Sequence, residues 1–455
     1  AISSFEGFSC SFPMPSYQSV AAVEEGAPLR PTAAVLPRGE DTAHLTGLRA
    51  CISLWIVCKH FEGSVDNPLL WRSTSGVTMC VVLSGFLSAR TYTERRAAGK
   101  LPYRPYALRR VLRVMPLYYL TLTTAILLGI AKRGSKALTA RALTVDAQCY
   151  AVLRTWLGRA KFCPAGESWT IASLIPCWLT WPLLSDFLAD KSDRFVDRAA
   201  VVAACGAVLP SLVLYVAQGG HITYHQHSWL YFYPLSMLPD FLAGAVAGEA
   251  SRRRQHDNVD DKSPARLADF SLLAAFLAVP LVPCHGYRTD LDALVFTHGL
   301  TPLFCVFLAA SCDPRAHKCV ARKIFRHKAL LALGDLSFDV YLWQNPVHTA
   351  FLMVPGVPKD TTQAFHFMIY LLLLYVTAQL YATYLDHPWA HFLKAKLSQT
   401  HQSTRQPAST TTTCATTKNT ANTALLAQPG TARERGVNSD RGRQGCSQDP
   451  PPPLS

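Results

Sequence analysis

A series of apolar runs of membrane-crossing length, separated by short blocks of Lys and Arg, constrains this chain more than any other feature. A helix needs about 20 mostly apolar residues to cross a hydrocarbon core of about 30 Å. The runs at 45–62, 74–92, 110–131, 168–187, 199–217, 229–249, 267–284, 292–311, 329–349 and 364–386 approach that length. They predict an all-α, polytopic membrane helix bundle of about ten transmembrane helices. The first run, with Arg49, Lys59 and His60, and the fourth, rich in Pro and Trp, are the weakest. Residues 142–158 read as an amphipathic helix too polar to span, expected at the membrane surface. Composition agrees, because charged residues make up 16 % of the chain, below the roughly 25 % of a soluble domain. A disordered chain is excluded for most of the length by its apolar content, and a small disulfide scaffold by having only 14 Cys in 455 residues.

The formal charge of +14 would suggest a nucleic-acid partner in a soluble protein. Here the cations gather in loops on one side of the expected bundle, so no nucleic-acid partner is expected. Residues 90–113 hold Arg90, Arg95, Arg96, Lys100, Arg104, Arg109, Arg110 and Arg113; Arg252–Arg254 and the run from Arg315 to Arg326 follow after the sixth and eighth runs. The opposite loops at 63–73, 218–228, 285–291 and 350–362 carry almost none. The positive-inside rule then predicts a multi-pass protein with both termini in the cytoplasm. The loop 132–167, with Lys132, Arg133, Lys136 and Arg141, runs against it. Residues 1–43 form a polar segment without the pattern of a signal peptide, so membrane insertion is expected to rest on the first internal run. Residues 393–455, rich in Thr, Ser, Gln and Pro, are expected to be a low-complexity disordered tail. No solenoid or inverted repeat is visible.

Ionisable residues inside apolar runs are costly and therefore point to function. Arg49 and His60 are eleven positions apart, about three helical turns, and so share one face of the first helix. The plainer readings are a snorkelling anchor for Arg49 and a boundary residue for His60. In RRVLRVMPLYYL, Arg110 and Arg113 project the same way at the start of the third helix, a spacing that suits a phosphate-bearing donor such as a coenzyme A thioester. The plainer reading there is membrane orientation. His221, His225 and His227 have metal-like spacing but no fourth ligand, and a polar surface loop is the better reading; no metal site is expected. Cys149 and Cys163 share an outer loop and would pair if that side is oxidising. Cys312, His317 and Cys319 match no zinc spacing, and there is no Gly-rich phosphate loop or nucleophile elbow.

GLRACISLWIVCKHF, GVTMCVVLSGFLSAR, RRVLRVMPLYYL, SWTIASLIPCWLTWPLL, PDFLAGAVAG, LGDLSFDVYLWQNPV and LDHPW, in this order, resemble the acyltransferase 3 family of integral-membrane O-acyltransferases. The resemblance covers residues 44–392. It implies that His60 serves acyl transfer with Arg49, that Arg110 and Arg113 lie where acyl-CoA docks, and that Ser84 belongs to the family's Ser-Gly-Phe. Trp169, Asp240, Asp335, Asp339 and Tyr341 are the candidate supporting residues. Two positions depart from the pattern. Leu174 stands where the family carries Glu, with Glu167 on the wrong side of Trp169 to be an obvious substitute, and Gln344 stands where a His is common. The expectation is transfer of a short acyl group, acetyl foremost, from acyl-CoA to a hydroxyl of a carbohydrate, glycolipid or similar acceptor. The bilayer, acyl-CoA and that acceptor are the partners, with no cofactor beyond the donor. The rivals are a polytopic transporter using the same charges and an inactive relative that binds acyl-CoA or lipid.

Overall fold

The computed structural model describes residues 42–62, 67–97, 103–134, 138–158, 163–254, 263–282, 291–357 and 364–403. Most of the N-terminal polar segment, Arg95, Arg96 and Arg104 as side chains, Lys100, and the low-complexity region from 404 onward lie outside the described residues.

No strand occurs among the described residues, so the all-α expectation holds. The first part runs α1 (Ala43–Glu62), the short α2 (Pro68–Trp71), α3 (Thr74–Ala97) and α4 (Tyr103–Arg133). The surface segment is α5 (Ala140–Tyr150), capped by Thr139 and followed by a Cys149–Cys163 disulfide. Next come α6 (Trp169–Ala189), α7 (Asp193–Ala217), α8 (Tyr224–Phe232), α9 (Leu238–Arg253) and α10 (Ser263–Leu281). The remainder is α11 (Leu291–Leu294), α12 (Thr301–Ser311), α13 (Val320–Phe325), α14 (Lys328–Asp335), α15 (Ser337–Phe351), α16 (Ala364–Tyr381) and α17 (His387–Ser403). Single π-helical turns at Val295–Gly299 and Ala382–Asp386 interrupt the α11–α12 and α16–α17 segments. The last helix continues to Ser403, past the boundary expected at 392.

By length and apolarity, six helical segments can cross a membrane: Tyr106–Arg133, Gly166–Ala189, Asp193–Ala217, Ser263–Leu281, Leu291–Ser311 and Ala364–Leu393. A seventh is added if His225–Phe232 and Pro234–Arg253, bent by 62°, form one broken span. The count of ten read from the sequence is thus not reached on these criteria. The physical reason lies in which helices face outward. On α7 and α16, Val202, Val213, Val216, Phe365, Met368 and Leu372 are exposed, as lipid contact requires. By contrast α9 is buried almost throughout, and α1, α3 and α15 turn polar residues toward neighbouring helices, which lowers their apolarity.

Small residues bring the interior helices together. A Cβ on Gly85 would come 2.0 Å from the Phe241 carbonyl oxygen, and one on Gly244 equally close to that of Val82. Gly244 and Gly248 give α9 the Gly-x-x-x-Gly face that lets membrane helices touch backbone to backbone. Gly85→Ala is therefore expected to separate α3 from α9 and cost about 1–3 kcal/mol, read as a lower melting temperature of the detergent-solubilised protein. Gly206→Ala is the control, since its site has open space within 4 Å.

Two apolar cores result. One joins the first half of α1 to α3, α6, α7, α9, α10 and α12. The other joins Val57 and Phe61, at the end of α1, to α4, α15, α16 and the disulfide. Helix α1 belongs to both.

Candidate functional site

His60 lies in the last turn of α1, where a cation suits the helix C-terminus. Its Nδ1 is 3.2 Å from Gln344 Oε1 of α15. Its Nε2 is 3.7 Å from Glu167 Oε1, in the turn Gly166–Ser168 that opens α6. The His60 side chain is 37 % exposed and that of Glu167 only 6 %. Three separate segments thus meet on one imidazole. Gln344 is held from behind, as its carbonyl accepts from Tyr370 OH at 3.0 Å. Asn345 lies alongside the Glu167 carboxylate and donates from Nδ2 to the Pro164 carbonyl, 3.5 Å away. Glu167 Oε2 and Gln344 Nε2 are buried, and neither has a hydrogen-bond partner among the described residues.

Glu167 and Gln344 are the two residues that the structure adds beside His60. Seven positions separate Glu167 from Leu174, and by its place before Trp169 it is no obvious substitute. The irregular turn that carries it redirects the side chain toward α1, a change that helical spacing does not anticipate. Leu174 itself packs against the first apolar core. Gln344, at the position where His is common, supplies an acceptor to His60.

Arg49 is on the same helix but not in this site. At 1.5 Å per residue it lies about 16 Å from His60 along α1. Its Nη2 donates to Thr46 Oγ1 at 3.2 Å, and it is the cation facing Asp335. Arg49 and His60 are therefore about three helical turns apart, each with its own set of partners.

The two arginines of α4 also diverge. Arg110 donates to Ser88 Oγ of α3 at 3.3 Å and lies over the Tyr106 ring. Arg113 is paired with Asp386 Oδ2 at 2.9 Å, with about half of its own side chain exposed. Asp386, in the LDHPW motif, sits on a π-helical turn beside Asp339.

The supporting candidates scatter. Ser84 Oγ accepts from Trp178 Nε1 at 3.4 Å. Trp169 is a packing residue, with Tyr231 and Phe232 at ring distances of 4.8 and 5.0 Å. Tyr341 reaches Thr170 and lies near Glu167, Tyr231 and Cys80, which places it beside the His60 cluster. Asp240 is fully buried in a different group. It accepts from Thr301 Oγ1 at 2.5 Å and pairs with His298 Nδ1 at 2.6 Å. His298 stands on the π-turn before α12, and its run gave no periodic signal that could have announced it.

The His-rich stretch is only in part a polar surface loop. It enters α8, where His227 is buried, bonded through Nε2 to Thr297 Oγ1 at 3.1 Å and stacked on Tyr231. His221 and His225 are exposed. Cys319 Sγ donates to Asp269 at 3.1 Å, while Cys312 Sγ lies 3.9 Å from His44 Nε2. No group of His, Cys, Asp and Glu among the described residues has metal-binding geometry.

A family model described as an acyltransferase domain, that of the acyltransferase 3 family, matches residues 43–393. The chain belongs to this family. It is an acyltransferase that moves groups other than aminoacyl groups, and its apolar helices make it an integral membrane protein with an acyl donor and an acceptor as partners. No curated protein and no solved structure matches it. In this acyltransferase the family's opening, third-helix and closing motifs bear His60, Arg110 with Arg113, and Asp386, respectively.

Proposed function

We propose that this acyltransferase moves a short acyl group, acetyl foremost, from acyl-CoA to a hydroxyl of a carbohydrate, glycolipid or similar acceptor, with His60 as the general base. The observation that carries this reading is the imidazole set between Gln344 Oε1 and the Glu167 carboxylate. As the acceptor hydroxyl attacks, its proton passes to His60 and its oxygen bonds the thioester carbonyl carbon. The imidazolium formed then has the Gln344 oxygen at hydrogen-bond distance from Nδ1 and the Glu167 carboxylate 3.7 Å from Nε2. When the carbon–sulfur bond breaks, the coenzyme A thiolate takes the proton back. General-base catalysis of this kind contributes about 10²–10⁴-fold.

Arg110 and Arg113 are the proposed anchors for the donor's phosphates. They sit far from His60: Gly76 of α3 faces Ile52 and Ile56 of α1, and Ser88, which Arg110 touches, is on the order of 18 Å further along α3. The ten-span topology is retained within this proposal, with α1, α3, α9 and α15 as enclosed spans, both termini cytoplasmic, and the Arg110 end inside. The disulfide lies on the His60 side, which favours an oxidising outer compartment there.

Arg110→Ala is expected to weaken acetyl-CoA binding by about 10–100-fold, the loss of a charge-assisted phosphate contact of about 1.5–3 kcal/mol. Equilibrium binding of labelled acetyl-CoA to the purified protein measures this. Retained affinity in Arg110→Ala and Arg113→Ala would move the donor site elsewhere. Transfer of labelled acetyl from acetyl-CoA by the purified protein tests the function, and mass spectrometry of surface glycans and lipids with and without His60→Ala identifies the acceptor. Substrate flux across vesicles without acyl transfer would favour a transporter instead.

A further inference from the structure

We infer that the Cys149–Cys163 disulfide is a positioning element for Glu167. The inference rests on the reading of Glu167 as the partner of His60. Cys163 precedes Glu167 by four residues, so the crosslink fixes one end of the peptide Cys163-Pro164-Ala165-Gly166-Glu167. The other end is fixed where Glu167 enters the turn that opens α6. What lies between is held as well: Pro164 O accepts from Asn345 Nδ2, Ala165 is buried, and the Ser168 amide donates to Ala165 O at 3.1 Å.

The far side of the bridge is equally secured. Cys149 ends α5, both cysteines are buried, and the Cys149 carbonyl accepts from Tyr118 OH of α4. The crosslink therefore ties the carboxylate-bearing peptide to α4, while Asn345 ties it to α15, the helix that also presents Gln344 to His60. A carboxylate 3.7 Å from an imidazole is sensitive to such support, because a displacement of 1 Å in a reacting constellation can cost about 10²-fold.

The cysteines touch no reacting atom, so their effect must pass through Glu167. In Cys149→Ser/Cys163→Ser, kcat for acetyl transfer is expected to fall about tenfold to a hundredfold while KM for acetyl-CoA stays unchanged, since Arg110 and Arg113 lie at the opposite end of the bundle. In a Glu167→Gln background the same double substitution should lower kcat no further. A KM that rises together with the fall in kcat, a full additional loss on top of Glu167→Gln, or an unchanged kcat would each overturn the inference. Wild-type kcat in Glu167→Gln alone would instead overturn the underlying reading of Glu167. Should the double variant fail to fold, the purified wild-type protein is treated with a thiol reductant, which gives two electrons and two protons to the bridge and is itself oxidised to a disulfide. Protein that remains monodisperse on size exclusion with both thiols alkylated must show the same loss of kcat at constant KM; full activity in that state rejects the positioning role.

Discussion

His60→Ala is expected to lower kcat for acyl transfer by about 10²–10⁴-fold and to leave the binding of acetyl-CoA within twofold of wild type. The size follows from the role. A hydroxyl attacking a thioester must lose its proton, and the His60 imidazole is the base this reading assigns to take it. The selectivity follows from the distance. His60 and Arg49 are about 16 Å apart along α1, and Arg110 and Arg113 hold Ser88 and Asp386 in the half of the bundle that contains Arg49. Removal of the base should therefore not disturb the anchoring of a nucleotide. Single-turnover transfer and equilibrium binding, measured on the same preparation, give the two numbers. Wild-type transfer by the variant would remove His60 from the chemistry altogether.

Glu167→Gln should lower kcat by about 10–150-fold, the equivalent of about 1.5–3 kcal/mol for a charge-assisted contact. The substitution keeps size and hydrogen-bonding capacity and deletes only the charge, so packing around the turn is preserved. The ground state is affected little, because the acceptor hydroxyl and the thioester are neutral. The transition state is affected more, because it contains an imidazolium facing Glu167 Oε1 across 3.7 Å. His60 is partly exposed, and solvent screening draws the expectation toward the lower part of the range. Glu167→Ala should lose more, since it also empties the place of a buried side chain. The kcat of the three proteins, at saturating acetyl-CoA and acceptor, ranks wild type above Gln above Ala. Equal activity in wild type and Glu167→Gln would show that the charge has no part in the step.

The loss of two family residues takes on a different meaning in this light. With Leu174 in place of Glu and Gln344 in place of His, the sequence raises the prospect of an inactive relative. In the folded chain another carboxylate occupies the vicinity of the histidine, and the glutamine contacts it directly.

Sequence and structure contributed differently to this account. Apolar length, the polar and basic punctuation and the ordered motifs determined by themselves that the protein is helical, membrane-embedded and a member of an acyltransferase family, because a hydrocarbon solvent imposes helix and length on any chain that crosses it. They also singled out His60, whose cost in an apolar run is visible one residue at a time. What they could not supply is adjacency. The eleven positions between Arg49 and His60 already set them about 16 Å apart on α1, but not which segments each would meet. Glu167 and Leu174 are near neighbours in the chain, yet only the former reaches the imidazole, through an irregular turn that obeys no 3.6-residue period. Asp240 meets His298 and Arg113 meets Asp386 across 58 and 273 positions, with His298 and Asp386 each on a π-helical turn. The span count depends on packing for a related reason: a helix surrounded by other helices need not be apolar, and α1, α3 and α15 fall outside the six segments whose length and apolarity suit a bilayer. Contacts between distant segments depend on how helices pack, and that was decided only by the tertiary structure.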